Sequence, residues 1–93
     1  MSIMDVIRAR LAALEPDMLE LYDDSQEHAG HAGAHGGGGH YQLIISSRRF
    51  EGLGHVARHR LVYSTVTDMM RKDIHALAIK AYTPGELTRA FSR

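Results

Sequence analysis

The sequence predicts an α+β sandwich in which a three-stranded sheet is covered by helices. Three observations carry this. The chain has 93 residues, enough for one small core that buries roughly 60–65% of the surface an unfolded chain exposes. Apolar residues repeat with helical and strand periods in the order helix, strand, strand, long helix, strand, helix. A composition of 44% hydrophobic and 24% charged residues is ordinary for a folded domain and argues against wholesale disorder. Residues 1–93 therefore read as a single domain.

Ser2 to Leu14 is the first helix. Ser2 caps it with Asp5 three residues on, and Ile3, Val6, Ile7, Leu11 and Leu14 form one stripe. Glu15-Pro16-Asp17 ends it, because a residue before proline resists the α region. Met18 to Tyr22 is a short strand, with Leu19 and Leu21 on one face and Glu20 on the other. Residues 24–39 follow as a His/Gly-rich loop. Within it, residues 26–39 hold six glycines and three histidines and no apolar side chain larger than alanine, so a flexible connection is expected.

His40 to Ser46 is the second strand, with Tyr41, Leu43 and Ile45 on one face; a hairpin with the first strand is the simplest pairing. Ser47 to Gly52 forms a connection with two adjacent arginines. His55 to Lys72 is the longest helical pattern, its stripe made of His59, Val62, Tyr63, Val66, Met69 and Met70. Ile74 to Tyr82 is the third strand. Strict alternation sets His75 with Leu77, Ile79 and Ala81, the large aliphatics toward the helices, and leaves Ala76, Ala78 and Lys80 on a more open face. Thr83-Pro84-Gly85-Glu86 is the sharpest local signal: a capping threonine, proline at the first helical position and glutamate at the third. Leu87, Ala90 and Phe91 give the last helix its stripe.

Composition narrows the chemistry. The chain has no cysteine, which excludes disulfides, a thiolate nucleophile, Cys-ligated zinc and a self-contained Cys₄ iron–sulfur site. No apolar run approaches the ~18 residues that span a bilayer, and the first fifteen residues, with Asp5 and Glu15, read as neither signal nor transit peptide. The cytoplasm is the expected location. Net charge is zero, yet residues 1–47 carry a balance of −5 and residues 48–93 one of +5.

No serine–histidine–aspartate set assembles, and the carboxylates are scattered. The run of four glycines at 36–39 lacks a phosphate-loop pattern and precedes a strand, so it reads as flexibility. Gly52-Leu53-Gly54 reads as a tight turn. Seven histidines, four of them within thirteen residues, raise metal ligation, since imidazole suits zinc, copper, nickel and iron. For His28, His31 and His35 the residues alone leave two readings open, a metal site or a polar loop. His75, at the head of a strand, and His59, on an apolar stripe, read first as satisfied structural residues, and His55 as solvated.

Ser47-Arg48-Arg49-Phe50-Glu51-Gly52, followed by Val56-Ala57-Arg58-His59-Arg60-Leu61-Val62-Tyr63, resembles the BolA family. So does Asp73-Ile74-His75-Ala76-Leu77-Ala78-Ile79, followed by Thr83-Pro84. His28-Ala29-Gly30-His31 resembles the loop of the family's histidine-loop type. The resemblance implies a class II KH-like fold in the order αββααβα or αββαβα. It also implies a non-enzymatic adaptor. BolA proteins pair with monothiol glutaredoxins and share a [2Fe–2S] cluster with them and glutathione, in iron–sulfur trafficking and maturation or iron homeostasis. In the family a histidine heading the third strand is a cluster ligand, and the matching position is His75. The second ligand comes from the loop between the first two strands, where His28 fits best by spacing and His31 stands close behind. Two histidines replace two thiolates on one iron in Rieske centres, so a chain without cysteine suits this role. The family also carries a DNA-binding, transcriptional proposal. Arg48, Arg49, Arg58 and Arg60 are the candidate partner- or nucleic-acid-binding residues, although the Gly-x-x-Gly clamp of KH domains is missing. No membrane partner is implied, and a homodimer is left open.

Overall fold

The structure, a computed structural model, describes residues 1–25 and 38–91. Its elements are α1 (Ile3–Leu11), β1 (Met18–Asp23), β2 (Gly39–Ser46), α2 (His55–Thr65), β3 (Ile74–Tyr82) and α3 (Pro84–Phe91). The expected α+β class and the order αββαβα hold. Single 3₁₀ turns follow α1 at Ala12–Leu14, β2 at Arg48–Phe50 and α2 at Thr67–Met69.

Both expected caps form. The Ser2 hydroxyl accepts from the Asp5 N–H at 3.1 Å while the Asp5 carboxylate accepts from the Ser2 N–H. At α3 the Thr83 hydroxyl accepts from the Glu86 N–H at 3.2 Å, and Glu86 accepts from the Thr83 N–H at 3.0 Å. Each pair satisfies two amides that a helix start leaves open.

The sheet order is β1-β2-β3. β1 and β2 form the expected antiparallel pair, Met18 opposite Ser46 and Asp23 opposite Tyr41. β2 and β3 run parallel, which requires the crossover that α2 supplies. One sheet face is closed by α1 and α2. Ile7, Leu11 and Leu14 meet Leu21, Tyr41, Leu43, Ile45, Leu77 and Ile79 there, together with Val62, Val66 and Met69. Ser47 and Phe50 explain the pattern of the arginine turn: both are fully buried, while Arg48 and Arg49 point outward. The Ser47 hydroxyl donates to the Leu14 carbonyl at 2.6 Å and accepts from the Arg49 N–H.

Two expectations are corrected. The helical pattern from His55 to Lys72 stops being α-helix at Thr65. The hydroxyls of Ser64, Thr65 and Thr67 each bond a carbonyl three or four residues back, and three β-branched residues stand in succession at 65–67. The chain turns at Val66 and re-buries Met69 through the 3₁₀ turn. The second correction is in β3. Alternation put His75 on the face of Leu77, but a register shift lies between Gly39/His40 of β2, where Gly39 pairs with Ile74 and His40 with Ala76. His75 is thus the extra residue of a bulge. Ile74 is buried with Leu77 and Ile79, and His75 is exposed.

Among the described residues no helix is long and apolar enough to cross a membrane.

Candidate functional site

The parallel pairing of β2 and β3 brings their heads together, at the sheet end where β1 stops at Asp23 and β2 begins at Gly39. His75 lies there, exposed, with the ring of half-buried His40 beside it: the centroids are 4.9 Å apart and the planes tilted by 33°. The sequence reading left His40 unassigned, because strand direction and register, which make the two heads neighbours, are not visible in a single sequence.

A compact network fixes this corner. The His40 N–H donates to the Ser25 hydroxyl at 3.0 Å, and the His40 carbonyl accepts from the Asp24 N–H at 2.8 Å. The Ser25 N–H in turn donates to the Asp23 carboxylate. On the other side the Gly39 N–H donates to the Asp73 carbonyl at 3.1 Å. The last two glycines of the run do more than confer flexibility. Gly38 has φ +79°, and a Cβ there would stand 2.7 Å from the Lys72 carbonyl oxygen. A Cβ on Gly39 would stand 2.7 Å from both the Ser25 and Tyr41 hydroxyls. The Gly38 approach, to backbone and at positive φ, is one that favours glycine, and with the Gly39 N–H bond to Asp73 it sets the turn before His75 against the start of β2.

Two carboxylates, Asp23 and Asp73, act on this corner. Burial first, then the charges of Asp23 and Asp73, push the Tyr41 phenol above its ordinary pKa. Bonds from Ser25 hold the Asp23 carboxyl below the usual range. Among the described residues no cluster of three His, Asp or Glu side chains could hold a metal ion. The described part of the corner thus presents the imidazoles of His40 and His75 without a complete set of metal ligands. His28 and His31, the expected loop ligands, and His35 lie outside the described residues, as does most of the expected flexible segment.

The arginines are elsewhere. Arg48 and Arg49 follow the far end of β2, and eight strand residues at ~3.3 Å each put about 25 Å between them and the histidine corner. Arg58, expected among the partner- or nucleic-acid-binding residues, is engaged within the fold. Its guanidinium donates to both carboxylate oxygens of Glu86 at 2.5 and 3.0 Å and to the carbonyls of Leu53 and Ala81, clamping α2 to α3. Arg49 pairs with Glu15 at 2.8 Å. Arg48 and Arg60 are exposed and, among the described residues, form no ion pair.

Comparison with known proteins agrees with this fold. The family described as BolA-like protein matches residues 11–86. BolA-like protein 1 of Mus musculus is 42% identical over 81 residues, covering 86% of this chain and 57% of its own length. A DNA-binding transcriptional regulator BolA of Vibrio cholerae is 40% identical, covering 90% of this chain and 77% of that protein. SufE-like protein 1 of Arabidopsis thaliana is 43% identical over 80% of this chain, which spans 21% of that longer protein. The chain thus spans between a fifth and three-quarters of the length of these relatives. The solved structure of BolA1 from Arabidopsis thaliana superposes with a TM-score of 0.79 at 39% identity, covering 92% of this chain and 96% of that one. The chain belongs to the BolA-like protein family.

Proposed function

We propose that the protein is a non-enzymatic adaptor that binds a monothiol glutaredoxin and co-ligates a [2Fe–2S] cluster, in iron–sulfur trafficking and maturation or in iron homeostasis. The observation that carries this reading is the exposed imidazole of His75, raised on a bulge at the head of β3, in a chain without cysteine. The bulge frees the ring from the sheet face, and the glycine-packed turn fixes its backbone. His75 supplies one nitrogen ligand, and a histidine of the β1–β2 connection, His28 or His31, supplies the second. The partner's thiolate and glutathione complete the other iron. Nitrogen ligation of one iron raises the reduction potential relative to all-thiolate clusters. His40, 4.9 Å from His75 between centroids, packs against the ring and orients it.

The test is a titration of cluster-loaded glutaredoxin and glutathione with this chain, followed by visible absorption and circular dichroism. The wild-type chain changes the cluster spectrum. His75→Ala, which removes an exposed side chain, leaves the fold intact and abolishes the change. An unaltered spectrum with wild type, or the same change with His75→Ala, rejects the assignment.

A second reading is favoured by one observation, that a relative from Vibrio cholerae bears the name DNA-binding transcriptional regulator BolA. For this chain it rests on the exposed Arg48 and Arg60 alone, since Arg58 and Arg49 are engaged within the fold. Salt-dependent duplex binding lost on joint substitution of Arg48 and Arg60 supports it, and no binding at low salt rejects it.

A further inference from the structure

α2 opens with a pair of histidines that the proposed function leaves unused. His55 and His59 stand at i and i+4, the spacing that places side chains on one helix face. Their ring centroids are 4.2 Å apart with planes tilted by 47°. His55 is the first residue of the helix and is exposed; His59 is half-buried. The sequence pattern suggested a satisfied structural histidine at 59. Instead its Nε2 is shut off from solvent and has no hydrogen-bond partner among the described residues. Buried polar atoms are seldom left so, because desolvation is then uncompensated.

Burial first, and the neighbouring His55 second, hold the His59 ring below the ordinary imidazole pKa, while the Ile79 carbonyl pulls the other way. Arg58, the cation adjacent in sequence, has its charge engaged by Glu86. Among the described residues no third ligand-type side chain completes a cluster, so the pair makes an open site and not a closed structural centre.

We propose that His55 and His59 form a two-imidazole site for a divalent late first-row transition-metal ion, zinc or copper in class, with water or a donor from another molecule at the remaining positions. Two imidazole nitrogens as the protein ligands select these ions over magnesium and calcium, which want oxygen. The exposed His55 ring closes onto the ion, and His59 meets it from the next turn of the same helix face. Binding links the first two turns of α2 on the helix that Arg58 fastens to α3.

Zinc sulfate added to the full-length chain, with every imidazole followed separately by long-range ¹H–¹⁵N NMR, tests this. The rings of His55 and His59 shift together with one midpoint. His55→Ala weakens the zinc midpoint at His59 by at least about tenfold, because the second donor's effective concentration is lost. His75→Ala leaves the response of both rings as in wild type, which separates this site from the cluster reading. Unrelated midpoints for the two rings overturn the proposal. So does an unmoved His59 ring while other histidines saturate, or a His59 midpoint indifferent to His55→Ala; the contact is then ring stacking alone.

Discussion

Gly39 shapes the histidine corner although it has no side chain. A Cβ there would stand 2.7 Å from the Ser25 and Tyr41 hydroxyls, and the Gly39 N–H ties β2 to the residue before β3. Gly39→Ala is expected to cost about 1–3 kcal/mol, the usual range for overpacking, measured by urea denaturation. The His40 amide and the His40 and His75 ring resonances should shift with it, because Ser25 must move and His40 donates to Ser25. An alanine variant with unchanged stability and unmoved rings would contradict this picture of the corner. The sequence could not assign this role. A run of four glycines beside three histidines reads as a flexible tract, and only the packing against Lys72, Asp73 and Tyr41 distinguishes its last two members. His40 escaped for a related reason: its neighbour is thirty-five positions away in sequence, brought close by parallel pairing.

Among elements, local signals were legible and long-range ones were not. The α3 start is written in four consecutive residues, and β3 runs over the residues its pattern marks, Ile74 to Tyr82. The end of α2 was hidden, because Met69 and Met70 keep the helical period while hydroxyls at 64, 65 and 67 take the carbonyls that would continue the ladder. The bulge that exposes His75 was hidden too, since it belongs to the β2–β3 register. The clamp between α2 and α3 gives a pH prediction. The Arg58 guanidinium, with the Thr83 N–H, lowers the Glu86 carboxyl from 4.5 to about 2. A carboxyl whose folded value lies below its unfolded one stabilises the fold above the unfolded value, and this contribution is lost as pH falls through the folded one. Glu86→Gln should therefore be less stable than wild type at neutral pH. The difference should shrink as pH drops from 4.5 toward about 2, as chemical denaturation at several pH values would record. A constant difference across that range contradicts the clamp.

At the scale of the whole molecule, the sheet separates two regions that the sequence listed side by side. The histidine corner stands at the head of β2 and β3, and the arginine turn at the far end of β2, about 25 Å away. Joint Arg48→Ala and Arg60→Ala substitution should leave the cluster titration with glutaredoxin unchanged, while any low-salt duplex binding disappears. Loss of the cluster response in that variant would place the glutaredoxin surface over the arginines and not over the histidine corner. The family resemblance was legible because its motifs are local strings, whereas the spatial division between them depends on strand length and direction.

The most direct measurement is pulsed electron paramagnetic resonance on the reduced complex, with this chain alone carrying ¹⁵N-labelled histidine and the glutaredoxin at natural abundance. The account predicts ¹⁵N hyperfine coupling to the cluster from the labelled chain, with the His75 contribution gone in His75→Ala. A complex that forms and holds its cluster, yet shows no such coupling or shows it undiminished without His75, would contradict it.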